Sequence, residues 1–142
     1  MVTAIFWQSP LQVQLAQDVI INDNTYNKVN CQYPLNTGVI VDGHNVSRNI
    51  WYCFHRSEDV ETYTWVIQSY LGDQNAGDGI DEPEVFISDC DASLIASVGD
   101  ALPKSFHVYC LYHQKDIFTT TSGYFLVWNG LILSATSRQH IA

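Results

Sequence analysis

Two aspartates occupy equivalent places in the sequence, each directly after a run rich in apolar residues. Asp23 follows Val19–Asn22, and Asp89 follows Val85–Ser88. Because ligands of open α/β sheets bind beyond the strand ends, neighbouring strands would bring the two carboxylates together. Adjacent carboxylates repel each other unless one is protonated or a cation lies between them, and Mg²⁺ or Mn²⁺ prefers such oxygen ligands. The pair therefore indicates a divalent-metal site, although both residues could also be ordinary turn or helix-cap residues.

A second set of residues that could do chemistry is the motif H-x-x-C-x-x-H, formed by His107, Cys110 and His113. Imidazole and thiolate groups at this spacing would provide half of a zinc site. A complete tetrahedral site needs a fourth ligand, which no second pair in the sequence supplies. The alternative is that Cys110 packs in the core and that each histidine lies at the surface or in a helix cap.

Composition limits the classes of protein to which the chain could belong. Its 142 residues fit one domain, and a content of 46% hydrophobic and 13% aromatic residues excludes a disordered chain. The 15 acidic and 6 basic side chains give a formal charge of −9, which argues against a surface that binds nucleic acid throughout. A bound cation can still reverse the charge locally. No membrane span or secretory signal is evident, and cysteines without a CxxC pair favour an intracellular protein with reduced thiols.

The first half of the chain is predicted to form a short helix and an antiparallel meander of three strands. A short helix is predicted over residues 6–16, because a Ser-Pro pair supplies its cap and first turn. Three strands then follow, with an Asp-Gly turn between the second and the third, over residues 18–22, 37–41 and 46–55.

Helices and strands alternate in the second half of the chain. Acidic residues in the first turn and apolar residues at helical spacing predict a helix over residues 57–71. Asp91 can cap a second helix over residues 91–101, which has apolar residues on one face. Strands are predicted over 84–88 and 105–110, and a further helix would begin within 111–118. A meander followed by alternating elements indicates an α/β fold with a mixed sheet and helices on both faces, in the strand order of a ribonuclease-H-like domain.

The C-terminal part of the sequence has a different character. Two apolar runs, 124–128 and 131–133, flank an Asn-Gly pair, which is a strong β-hairpin signal. We therefore expect two parts, a core over residues 1–118 and an apolar tail over 119–142 that forms a hairpin. A hairpin without a sheet to join would promote aggregation or dimerisation.

Over about residues 5–116 the sequence resembles the transposase domain of Mutator-like elements (MULE), including its relatives in the FAR1 group. The matching motifs begin with F-W-x-S-P near the N-terminus and D-V-I-I-N-D-N-T-Y-N at 18–27. V-D-G-H follows at 41–44, then V-F-I-S-D-x-D-A at 85–92 and F-H-x-x-C-L-x-H at 106–113. Any single motif is weak, but the ordered set is specific.

The resemblance implies a ribonuclease-H-like fold, DDE-type DNA transesterification, transposon-end DNA as the partner and the nucleus as the location. In that family the first two acids of the catalytic triad lie at the positions of Asp23 and Asp89, where they bind two Mg²⁺ or Mn²⁺ ions. The C-x-x-H pair after the second acid matches Cys110 and His113. The third acid, a glutamate, has no counterpart here, because no Asp or Glu occurs after Asp116.

Three hypotheses for function follow. The first is a fragment of a DDE-type transposase core that is inactive alone, since a two-metal site without one of its ligands should lose most activity. The alternative is a domesticated, non-catalytic DNA- or protein-binding regulatory module of the FAR1 type. The two aspartates favour descent from a catalytic core, whereas the missing glutamate favours the alternative. The third hypothesis is an acidic interaction domain that forms homo-oligomers through its apolar tail.

Overall fold

The computed structural model of the chain is an α/β fold built on one mixed sheet. It describes residues 1–15, 18–30, 32–72, 77 and 79–110, together with the backbone of 124–128 and 131–135. In chain order the elements are β1 Ala4–Trp7, α1 Pro10–Val13, β2 Val19–Thr25, β3 Leu35–Val41, β4 Ser47–His55, α2 Val60–Leu71, β5 Val85–Ser88, α3 Ala92–Ala101, β6 Phe106–Cys110, β7 Tyr124–Trp128 and β8 Leu131–Ala135.

The described strands lie in the order β1-β4-β3-β2-β5-β6-β8-β7. β2, β3 and β4 pair antiparallel, which confirms the predicted meander, and β5 lies parallel to both β2 and β6. β7 and β8 form the predicted hairpin, and β8 pairs antiparallel with β6. The hairpin therefore has a sheet to join and extends the same sheet as the six strands of residues 4–110.

The N-terminal segment departs from the helix predicted over residues 6–16. Ala4–Trp7 forms the edge strand β1, which pairs antiparallel with β4, and the described helix covers only Pro10–Val13. Aromatic and β-branched residues favour a strand once a neighbouring strand is available, so the pairing with β4 decides the conformation. The predicted cap is correct, because the Ser9 hydroxyl accepts from the Gln12 amide at 3.2 Å.

Helices α2 and α3 pack together with four strands in one core. The buried residues of this core are Ile20, Ile40, Ile50, Trp51, Cys53, Tyr63, Val66, Ile67, Tyr70, Phe86, Leu94, Val98 and Leu102. Because successive residues of a strand point to opposite faces, the alternate residues of β2 and β5 contact these helices. Both helices thus cover the same face of the sheet.

Each of these helices begins at an aspartate. The Asp59 carboxylate accepts from the Thr62 amide at 2.8 Å and caps α2, which ends at Gly72 with a φ of 71°. Asp91 caps α3 and accepts from the Leu94 amide at 2.9 Å. No helix in the described part of the chain combines the length and apolar character that crossing a membrane requires. The helix predicted within 111–118 lies outside the described residues, so helices on both faces stay a prediction.

Candidate metal centre

Strands β2 and β5, which position the two predicted site residues, are neighbours in the sheet. They run parallel, with Ile21 opposite Ile87. Asp23 and Asp89 each lie two residues beyond this pair and therefore at the same level of the sheet. Asp89 directly follows β5 as predicted, whereas β2 continues to Thr25, so the prediction that Asp23 lies beyond its strand was wrong.

Asp89 lies where the chain passes from β5 into α3, in surroundings rich in carboxylates. Its Oδ1 accepts a hydrogen bond from the backbone N–H of Asp91 at 3.2 Å. Partial burial raises the pKa of Tyr26 to about 12, and its hydrogen bond to Glu58 and the charge of Asp89 add to this shift. Burial also raises the pKa of Tyr63, and the charges of Glu58, Asp91 and Asp89 act in the same direction. Glu58 and Asp89 therefore lie close enough to both phenol groups to act on their pKa values.

A network of amide side chains lies on the helix side of β2. Its centre is Asn36 of β3, which is fully buried. The Asn36 Nδ2 donates to Oδ1 of Asn22 at 3.1 Å and to Oδ1 of Asn24 at 2.9 Å. The Asn36 Oδ1 accepts from Nδ2 of Asn22 and from Nε1 of Trp51, both at 2.9 Å. Asn36 thereby makes four hydrogen bonds through one amide group, two as donor and two as acceptor. We call Asn22, Asn36 and Asn24 the amide ladder.

The amide ladder continues toward the carboxylates through Asn24. Its Nδ2 donates to the Tyr63 hydroxyl at 2.7 Å and to the Glu58 carboxylate at 3.1 Å. No buried side-chain nitrogen or oxygen among the described residues lacks a hydrogen-bond partner. The ladder was not predicted from the sequence, because asparagine is depleted in strands and the predicted strand ended at Asn22. One signal in the sequence could have found it. Ile20, Asn22 and Asn24 are alternate residues, and alternate residues of a strand lie on the same face.

His55 ends β4 beside the amide ladder and is fully buried. Its Nδ1 lies 2.8 Å from the carbonyl oxygen of Ser57, and its ring packs against Tyr63 with a centroid separation of 5.6 Å. Burial lowers the pKa of His55, and the Ser57 hydrogen bond and the charges of Glu58 and Asp59 oppose that shift. The folded protein therefore favours the neutral imidazole.

We expect His55 to make the free energy of unfolding pH-dependent. Its stabilising contribution is present above about pH 6.5, the usual histidine pKa, and is lost as the pH falls toward the lower folded pKa. In that range the unfolded chain binds a proton that the folded chain does not. Urea denaturation measures the free energy of unfolding at pH 7.5 and at pH 5.5. We expect the decrease between these two pH values to be smaller by about 1 kcal/mol in His55→Gln than in the wild type. His44→Gln, at an exposed histidine, is the control. Equal pH dependence in wild type and His55→Gln would contradict the assignment.

The structure separates the residues of the H-x-x-C-x-x-H motif. His107 Nε2 lies 2.7 Å from Oγ of the buried Ser88, and its ring packs against Phe86 with a centroid separation of 6.0 Å. Cys110 lies three residues further along β6, so its side chain points to the opposite face of the sheet. His113 lies outside the described residues. His107 therefore has a structural role at the end of β5, and a zinc half-site of Cys110 and His113 stays a prediction.

Comparison with known proteins places this arrangement in a family. The family model of the MULE transposase domain matches residues 19–116, which contain β2 to β6 and both aspartates. The chain belongs to the MULE transposase domain family. Two similar proteins of Arabidopsis thaliana are Protein FAR-RED IMPAIRED RESPONSE 1, 30% identical over 96 residues, and Protein FAR1-RELATED SEQUENCE 4, 30% identical over 112 residues. These matches cover 68% and 78% of this chain but only 11% and 15% of the two relatives, so the chain spans a small part of their length.

The side chains of the MULE domain can be tested against the divalent ions that the resemblance implies. Two aspartates on neighbouring strands provide hard oxygen ligands, which suit Mg²⁺ or Mn²⁺ held partly by water. Among the described residues, no group of three or more His, Cys, Asp or Glu is arranged to hold a metal. Asp23 and Asp89 would therefore hold such an ion together with water, and no third His, Cys, Asp or Glu among the described residues joins them.

Proposed function

We propose that this MULE domain is a transposase-derived core with a ribonuclease-H-like fold, in which Asp23 and Asp89 bind Mg²⁺ or Mn²⁺. The observation that carries the proposal is the parallel register of β2 and β5, which brings both aspartates to one level on adjacent strands. The meander β2–β4, followed by parallel β5 and β6 with helices between, supports the ribonuclease-H-like assignment. DNA is the proposed partner and the nucleus the proposed location.

The proposed chemistry is that of phosphodiester cleavage and transfer, and this chain supplies part of it. A divalent ion in such a site stabilises charge on the attacking and leaving oxygens. Asp23 and Asp89 would hold the ion from two strands that the sheet fixes relative to each other. The 142 residues contain no Asp or Glu after Asp116 that could act as a third acid. We therefore propose that this chain binds the cation and has no turnover of its own.

Titration with Mn²⁺ tests the metal site. We expect wild-type protein to bind the ion and Asp23→Asn to weaken binding about tenfold or more, because a neutral amide replaces an anionic ligand. Calorimetry or the electron paramagnetic resonance of free Mn²⁺ measures the affinity. Asp100→Asn, at an exposed aspartate near the other end of α3, is the matched control and should bind as wild type does.

The same proteins test the absence of turnover. Supercoiled plasmid incubated with wild-type protein and Mg²⁺ or Mn²⁺ should remain intact. Metal-dependent nicking that Asp23→Asn abolishes would contradict the inactivity, and unchanged Mn²⁺ affinity in Asp23→Asn would contradict the metal site. In the second case a non-catalytic regulatory module would become the better assignment.

A further inference from the structure

We propose that the amide ladder locks the register of β2 against β3 and thereby positions Asp23 beside Asp89. This inference rests on the proposed cation site, because it assigns a role to residues that would not themselves contact the ion. Asn22 and Asn24 are thus positioning residues of that site.

The argument begins with the alternation of side chains along β2. Asn22 and Asn24 point toward the helices, so Asp23 between them points to the opposite face. In the β2–β3 pairing Asn24 lies opposite Asn36, and Asp23 lies opposite Thr37. A slip of one residue would turn every side chain of β2 to the other face, which would bury Asp23 and expose both asparagines. The location of Asp23 therefore depends on the register of this strand pair.

The burial of one face of β2 already disfavours such a slip, and the amide ladder adds directional hydrogen bonds to that preference. All four hydrogen bonds of Asn36 are made, and Asn36 and Asn22 are 0% and 5% exposed. In a slipped register these buried groups would lose their partners, and an unpaired buried polar group is strongly unfavourable. Buried asparagine fixes register in coiled coils by the same physics.

The amide ladder also connects β2 to a more distant strand of the sheet and to a helix. Trp51 extends the ladder to β4, and Tyr63 connects Asn24 to α2. Asp23, in contrast, makes no side-chain hydrogen bond to any of the described residues, and its backbone carbonyl accepts from Thr37 Oγ1 at 3.5 Å. The network thus holds both neighbours of Asp23 in the sequence and leaves its carboxylate for a ligand.

The experiment replaces the ladder in the full chain by apolar groups of similar size, with Asn22→Leu/Asn36→Leu. Mn²⁺ affinity is measured by calorimetry, and register is measured by the cross-strand backbone NOE contacts that connect Asp23 with Thr37 in the native pairing. Since supporting residues around a metal site typically contribute 10- to 100-fold to affinity, we expect Mn²⁺ binding to weaken about tenfold or more. The native cross-strand contacts should weaken or give way to a second set. Asn30→Leu/Asn49→Leu, at two exposed asparagines, should change neither measurement.

Each outcome decides the inference. A folded double variant with native cross-strand contacts and unchanged Mn²⁺ affinity would overturn it. If wild type binds no Mn²⁺, the proposed function fails, and the register measurement alone then decides whether the ladder locks β2. If the double variant does not fold, Asn22→Ala serves instead, because Asn36 keeps its bonds to Asn24 and Trp51. Native register and unchanged affinity in that variant would overturn the inference as well.

Discussion

Replacement of Gly38 by alanine is expected to lower the free energy of unfolding by about 3 kcal/mol, at the upper end of the usual effect of overpacking a core. Gly38 lies on β3 opposite Trp51 of β4. A Cβ at this position would lie 2.2 Å from Cε3 and 2.3 Å from Cζ3 of the Trp51 ring. The ring is fully buried, packs against Tyr70 with a centroid separation of 4.8 Å and donates to Asn36. It therefore cannot move aside without disturbing both contacts.

Gly43→Ala provides the matched comparison for Gly38→Ala. Gly43 lies in the turn between β3 and β4, and no heavy atom outside Gly43 and its two chain neighbours lies within 4 Å of the position that its Cβ would occupy. We expect the free energy of unfolding to change by less than about 0.5 kcal/mol in that variant. Urea denaturation with both the midpoint and the slope recorded measures the two effects. Equal stability of the two variants would show that Trp51 repacks freely and would contradict the prediction.

The strands that could be predicted from the sequence are those whose pattern of apolar and polar residues agrees with their burial in the sheet. Val85–Ser88 is an apolar run buried between two parallel neighbours, and it was found at nearly its observed bounds. The cap at Asp91 was found because a short acidic side chain before an apolar helix has a local physical reason. The metal-site hypothesis required β2 and β5 to be neighbours, but the sequence did not predict this pairing. Strand order depends on contacts between residues that are distant in sequence.

The errors occurred where tertiary contacts outweigh local preference. Phe6 and Trp7 of β1 were assigned to a helix because the pairing of β1 with β4 joins residues some fifty positions apart. The turn between β3 and β4 was predicted at Asp42-Gly43, and the Asp42 carboxylate does accept from the His44 and Val46 amides there. The positive φ in this turn belongs to Asn45, at 61°, rather than to the glycine. The predicted turn is therefore confirmed, and asparagine tolerates the positive φ.

The second large effect is expected from Phe86→Ala, which should lower the free energy of unfolding by about 3–5 kcal/mol. Phe86 is 1% exposed and belongs to the core between β5 and the helices. Truncation to alanine removes a buried aromatic ring and leaves a cavity that the surrounding strands and helices fill only in part. Chemical denaturation of the full chain measures the loss, and a change below about 1 kcal/mol would contradict the assigned core.

Phe106→Ala is the control for Phe86→Ala, because it removes the same side chain from an exposed position instead of a buried one. Phe106 begins β6, next to β5 in the sheet, yet it is 59% exposed, so its removal should change the free energy of unfolding by no more than about 0.5 kcal/mol. The comparison also bears on the proposed metal site, because Asp89 directly follows the strand that contains Phe86. If the sheet register positions Asp89, Phe86→Ala at temperatures where it remains folded should keep its Mn²⁺ affinity. A large loss of affinity in the folded variant would instead mean that the packing of β5 against the helices positions this carboxylate.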